Sequence, residues 1–242
     1  MKTDHTEYRF KDSVGRINQI MAAWDNPYEE RERIPARNAL TYTNGFYVKC
    51  SVLFVEIRTS AELTDFHRNP FFAKPYRTYV SEVTAIMNGN QKCAEINVLG
   101  NCVSGFFDTP YEDDVNEVFS VVGKISSIVD IMNYEFKKKN LKEITIGIGL
   151  SYGKALVVKA GFKSSSSVEE VIWMGDAVNE AAKLASYGNM ESADREAMVS
   201  EVVYYNLHEK NKKLLTPNLT RNCYHGDIVN SLMNSWYEKN CP

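Results

Sequence analysis

Glu56 and Asn101 are the residues of this 242-residue chain best suited to holding a hard cation or a phosphate. Glu56 is the carboxylate that ends CSVLFVEI (50–57), a nearly continuous apolar run. Asn101 lies in CAEINVLGNCVSGFFD (93–108), where Ile96 and Val98, then Val103, Phe106 and Phe107, read as two short strands folded back at Gly100-Asn101. A turn lifts its side chain clear of the sheet, where it can face the end of a neighbouring strand. An acid and an amide side by side there make an oxygen-rich corner. A solvent-facing turn beside a polar strand end would read the same way. A second pair, Asn179 and Lys183, is spaced i, i+4 after Gly175, which puts an amide and an ammonium on one helix face. That face can grip an anionic group or simply meet water.

The totals narrow the choice. With 44% hydrophobic and 24% charged residues, the chain reads as a soluble globular protein long enough for one large domain, and no linker divides it. A net charge of −3 provides no basic field for nucleic acid or an acidic membrane, so a polyanionic ligand must be held by local donors or metal. The start, MKTDHTEYRFKD, lacks an apolar leader core, and no apolar run approaches about 20 residues, so the cytoplasm is the expected location. The five cysteines (Cys50, Cys93, Cys102, Cys223, Cys241) share no metal-ligand spacing and read as reduced thiols. The four histidines are scattered.

The elements that must position these residues follow from periodicity. Val14, Ile17, Ile20, Met21 and Trp24 predict an amphipathic helix over about 13–24, ahead of Pro27, packed on the body or on a partner subunit. A charged turn, YEERERIP, then leads to Asn44-Gly45, a hairpin signal before the strand ending at Glu56. Thr59 or Ser60 can cap a helix start, and Tyr79, Val80, Val83, Ile86 and Met87 repeat at helical spacing up to Asn88-Gly89. Asp113-Asp114 opens the longest periodic segment, which closes on three lysines, a charge order that suits the helix dipole. Glu143–Leu150 reads as a strand, Ser151–Gly153 as a turn, Ala155–Val158 as a second strand and 161–168 as a loop. Glu170–Trp173 is a third strand, followed by the helix AVNEAAKLASYG; a strand and helix follow from Ala197, and a docked helix is expected in the tail from Cys223. This order predicts an α+β fold, a mixed, largely antiparallel sheet with helices outside it. No glycine-rich nucleotide loop is present, which argues against a doubly wound fold.

Four blocks fall in one order: VLFVEIR (52–58), INVLGNCVSGFF (96–107), ITIGIGLSYGKALV (144–157) and WMGDAVNEAAKLASYG (173–188). Together they resemble the catalytic domain of class III nucleotide cyclases over about residues 45–205. The wider flavour is similar to the pyrimidine cyclases of bacterial Pycsar antiphage systems. The resemblance implies a ferredoxin-like cyclase fold at 45–205, an N-terminal extension at 1–44 and a C-terminal extension at 206–242 that completes the domain. It further implies a head-to-tail homodimer with composite sites, and turnover of UTP or CTP to a 3′,5′-cyclic monophosphate that signals to a separate effector protein. Glu56, Asn101 and the carbonyl of Ile57 would bind two divalent cations, Mn2+ or Mg2+. Backbone amides of Thr59, Ser60 and Ala61 would cradle phosphates, Asn179 would orient the ribose, and Lys183 would face the charged transition state. The positions that read a purine in this class are held here by Asn97 and Ile172, with Tyr47 as an aromatic neighbour that could narrow the pocket. Three departures stand out: Glu56 and Asn101 where the family carries Asp, and Lys183 where it carries Arg. By the scale of lost transition-state donors, each would cost on the order of 1 to 4 kcal/mol of barrier. The resemblance therefore leaves open a silent nucleotide-binding dimer, or a purine cyclase.

Overall fold

The computed structural model describes residues 7–22, 28–58, 73–162 and 168–241. Two long strands form its spine, β2 (Gly45–Ile57) and β5 (Ile146–Phe162). They run antiparallel without a break, from Gly45 opposite Val158 to Ile57 opposite Ile146. The turn expected at Ser151–Gly153 does not form, because Gly153, Tyr152 and Ser151 pair directly with Cys50, Ser51 and Val52. Ser151 is fully buried, and its hydroxyl donates to Glu180 Oε2 at 2.6 Å. Beyond Val158, β5 outruns β2 and, among the described residues, pairs with β6 (Val168–Met174) alone.

On the other edge of β2 lies the hairpin of β3 (Cys93–Leu99) and β4 (Cys102–Phe107). Its turn is the one expected, with Gly100 at φ 58°, where a residue without Cβ is favoured. Asn44-Gly45, by contrast, closes no hairpin. The stretch expected as a charged turn contributes a strand, β1 (Tyr28–Arg31), which pairs parallel to Gly45–Val48. Two parallel strands cannot be joined by a two-residue turn. Asn44 instead ties off a loop, its Oδ1 accepting from Thr41 N at 2.7 Å and its Nδ2 donating to Ala39 O at 3.0 Å. Three short strands, β7 (Ala197–Val199), β8 (Thr216–Asn218) and β9 (Cys223–Gly226), complete the sheet beyond β5.

Helices cover both faces. On one lie α2 (Ala73–Asn88) and α3 (Glu112–Lys138); the latter has three acids in its first turn and lysines in its last, as the dipole favours. Val55 and Ile57 of β2 are buried in the core against them. The opposite face carries α4 (Asp176–Tyr187), which buries Ala177, Val178, Ala181, Leu184 and Ala185. Trp173 of β6 joins that second core, stacked on Phe106 at 4.3 Å between ring centroids. Helix α4 sits almost backbone to backbone on β5, since a Cβ at Gly149 would lie 2.1 Å from Ala181 O. Gly149→Ala should therefore destabilise the fold by about 2 kcal/mol or more, checked as the loss of unfolding free energy in urea.

Other terminal elements differ from their sequence expectations. Helix α1 spans Phe10–Met21, earlier than expected, and its stripe of Phe10, Val14, Ile17, Ile20 and Met21 is exposed. Trp24 and Pro27 lie outside the described residues. After the short helices α5 (Glu201–Asn206) and α6 (Glu209–Lys212), the tail first forms β9 and only then α7 (Ser231–Asn240), whose Tyr237 ring packs edge-on against Tyr134 of α3. The apolar positions Leu232 and Trp236 face outward.

Glu196, just before β7, has its carboxyl pushed up to about 7 by burial, opposed by Ser126 and reinforced by the charges of Asp130 and Asp227. The folded chain thus holds this proton up to about pH 7, whereas an unfolded glutamate releases it near pH 4.5. Stability is consequently lost as pH rises through that window. Glu196→Gln should be more stable than the parent at pH 8 by on the order of 2 to 3 kcal/mol, and nearly equal to it at pH 4, in denaturation curves at the two values.

Candidate active site

The end of β2 and the β3–β4 turn meet at one corner. Ile57 N donates to Asn101 O at 3.1 Å, and Asn101 Nδ2 donates to Ile57 O at 3.0 Å and to Glu56 Oε1 at 3.2 Å. The pairing of Glu56 with Cys102 fixes this meeting, because Asn101 is the next residue beyond the last paired position. Strand alternation sends Val55 and Ile57 into the core and turns Glu56 to the α4 face, where 30% of its side chain is exposed. Helix α2 braces the corner from behind: the Tyr79 hydroxyl donates to Val55 O at 2.7 Å and that of Tyr76 to Gly100 O. Neither tyrosine was legible as a site residue, since helical spacing alone marked Tyr79 as core.

Arg58 is the residue that sequence reasoning passed over. Its Nη1 lies 3.5 Å from Glu56 Oε2, its Nε donates to Gly188 O at 2.8 Å, and its Nη2 donates to Ala185 O. Burial lowers the pKa of this guanidinium, and the Glu56 charge opposes the shift. The signal was present: residues two apart on a strand share a face, so an arginine at 58 had to stand beside the acid at 56. The Cys102 thiol is pushed up to about 12, by burial first and then by the Glu56 charge, so it stays protonated at neutral pH.

The donor set suits a hard divalent cation, with one carboxylate, one backbone carbonyl and one side-chain amide within hydrogen-bond reach of each other. As the amide stands, its nitrogen satisfies both acceptors. Turned over, Asn101 Oδ1 would face Glu56 Oε1 and the Ile57 carbonyl, an arrangement of three oxygens that is stable only around a cation. Among the described residues no group of three or more His, Cys, Asp or Glu side chains could hold a metal, so the corner offers a single carboxylate.

The other expected site residues are placed as follows. Asn179 and Lys183 share the exposed face of α4, with Lys183 Nζ 5.9 Å from the Tyr187 ring centre, and that face turns away from the sheet. Thr59, Ser60 and Ala61 lie outside the described residues. Asn97 of β3 lies on the Glu56 face, whereas Ile172 alternates to the outer side of β6 while Trp173 turns inward. Tyr47 lines a cleft of about 700 Å³ with Lys49, Tyr111, Tyr152 and Lys154, and Lys154 Nζ sits 4.4 Å over its ring. Near Asn97, the Glu95 carboxyl is raised, by burial first, with Arg37 and Trp173 opposing the shift.

Residues 44–230 match the Adenylate and Guanylate cyclase catalytic domain. A uridylate cyclase of Gulbenkiania mobilis is 34% identical over 99% of this chain and 100% of its own length. A uridylate cyclase of Treponema porcinum is 32% identical over 96% of this chain and 82% of its own. Among solved structures, a class III adenylyl cyclase-like ATP-binding protein from Pseudomonas aeruginosa superposes with a TM-score of 0.64 at 14% identity, covering 96% of this chain and 48% of that one. The adenylyl cyclase CyaB from the same organism gives 0.58 at 18% identity, covering 72% and 85%. The mixed sheet, the helices on its two faces and the matched span agree, and the chain belongs to the adenylate and guanylate cyclase catalytic domain family.

Proposed function

We propose that this chain is a uridylate cyclase that converts UTP to 3′,5′-cyclic UMP and pyrophosphate as a head-to-tail homodimer with two composite sites. The observation that carries this reading is the meeting of Glu56, the Ile57 carbonyl and Asn101 in a chain 34% identical, end to end, to a uridylate cyclase. Divalent cations, Mn2+ or Mg2+, when bound, supply the Lewis acidity that eases loss of the 3′-hydroxyl proton and offsets the triphosphate charge. Glu56, Ile57 O and Asn101 Oδ1 are the groups that would hold them.

The chain's own residues do the rest. Asn179 orients the ribose, and Lys183 brings a point charge to the phosphoryl oxygens, with less geometric control than a guanidinium fork. Backbone amides at Thr59, Ser60 and Ala61 hold phosphate oxygens. Asn97, on the Glu56 face, offers an amide to a pyrimidine edge, whereas Ile172 and Tyr47 lie on the opposite face of the sheet and are left out of this pocket. Asn179 and Lys183 are on the exposed face of α4, and in this reading they serve the corner of a second copy. In this reading residues 45–205 form the catalytic unit, with extensions before and after it, and the cyclic product is an antiphage signal read by a separate effector.

A silent nucleotide-binding dimer is the second reading, favoured by a corner whose acceptors are already satisfied by Asn101 and Arg58. Incubation with Mn2+ and UTP, CTP, ATP or GTP in turn, followed by mass analysis, separates the two. Cyclic UMP is expected. Cyclic CMP would reassign the base, cyclic AMP or GMP would overturn the pyrimidine reading, and nucleotide binding without any turnover would favour the silent dimer.

A further inference from the structure

Arg58 divides one guanidinium between two parts of the fold. One side faces Glu56 at the cation corner, at 3.5 Å. The other donates to Ala185 O and Gly188 O, the carbonyls at the C-terminal end of α4. That helix has no basic residue in its own last turn, and Arg58, just past the end of β2, brings a charge that complements its negative end. The fit has no slack, since a Cβ at Gly147 would lie 2.3 Å from Ala185 O, 2.5 Å from Arg58 Nη2 and 2.8 Å from Gly188 O.

We propose that Arg58 is a positioning residue that ties the cation corner to α4, so that a divalent cation at Glu56 alters the hold on the helix carrying Asn179 and Lys183. The inference rests on the cation-corner reading given above. A divalent ion bound by Glu56 places like charge beside the guanidinium and competes for the same carboxylate. Arg58 then gives up its partner at the corner and keeps its carbonyls, shifting its weight toward the end of α4. Lys183 stands two residues before Ala185 on that helix. In a composite dimer the corner serves one site and the exposed face of α4 serves the other, so this residue links the two sites.

Two readouts test this on the full chain, Mn2+ binding counted by electron paramagnetic resonance and hydrogen exchange of amides 184–188 with and without Mn2+. In the parent, Mn2+ should change exchange at those amides. Arg58→Gln should bind Mn2+ about tenfold more tightly, because a like charge has gone, and should exchange at 184–188 at least tenfold faster whether or not Mn2+ is present. Arg58→Lys keeps the charge without the fork, so it should bind Mn2+ like the parent yet lose the α4 protection. Exchange at 184–188 that Mn2+ leaves unchanged in the parent overturns the proposal, as does unchanged or weaker Mn2+ binding by Arg58→Gln. Glu56→Gln is the control for the underlying reading. If that variant binds Mn2+ as the parent does, the cation corner itself is misassigned. If it loses Mn2+ while Arg58→Gln alters neither readout, the link to α4 fails and the corner stands.

Discussion

Asn101→Asp should tighten Mn2+ binding by 10- to 100-fold and raise the rate of cyclisation with Mn2+ by a comparable factor. In the parent, Asn101 Nδ2 donates to Glu56 Oε1 and Ile57 O, so an amide hydrogen occupies the position where positive charge is wanted. An aspartate at this position has no hydrogen to donate. Its two oxygens would join those of Glu56 and Ile57, and only a cation relieves the repulsion. The same substitution should cost about 1 to 2 kcal/mol of stability without metal, from two lost hydrogen bonds and a like-charge pair, and saturating Mn2+ should restore it. Isothermal titration with Mn2+ and melting curves with and without it are the measurements. Unchanged Mn2+ affinity would remove the corner from the mechanism.

Lys183→Ala should lower kcat by 10²- to 10³-fold and leave KM nearly unchanged, because its charge matters most as the phosphoryl oxygens gain charge. Glu56→Gln should be inactive for a different reason, the loss of the corner's one carboxylate. Mixing the two inactive variants then tests the architecture. If Asn179 and Lys183 serve the corner of a second copy, half of a randomly mixed population is heterodimeric, with one of its two sites intact, and about a quarter of the parent activity returns. A mixture as inactive as its components would mean that each site is built within one chain. The placement of Lys183 on the exposed face of α4 favours recovery.

Much of the corner was legible beforehand because it depends on local patterns. The Gly100-Asn101 turn, the apolar run into Glu56 and the helix after Gly175 each follow from alternation, turn chemistry or helical spacing, and the structure has all three. Long-range pairing was what local pattern could not supply. Ser151–Gly153 looks like a turn by composition, yet unbroken pairing with β2 holds it extended. Asn44-Gly45 looks like a hairpin, yet the strand before it runs parallel. Arg58 was invisible for the same reason, since its partners Ala185 and Gly188 are more than 120 residues away and belong to a helix end that only tertiary packing brings near. Its place beside Glu56 could have been deduced from the two-residue period of the strand.

The outer part of β5 sets a condition on how this protein must be handled. From Lys159 onward the strand has lost β2 and, among the described residues, pairs on one side only, with β6. Ribbons of two strands are scarcely self-supporting in water. This one is fastened by charges at its surface, Lys159 to Glu169 at 3.3 Å and Arg37 to Glu170 at 2.7 Å, with the Tyr42 hydroxyl donating to Glu169 at 2.6 Å. Fastenings of that kind weaken as ionic strength rises, whereas the buried spine is indifferent to it. Concentrated salt should loosen this arm long before it disturbs the body of the molecule.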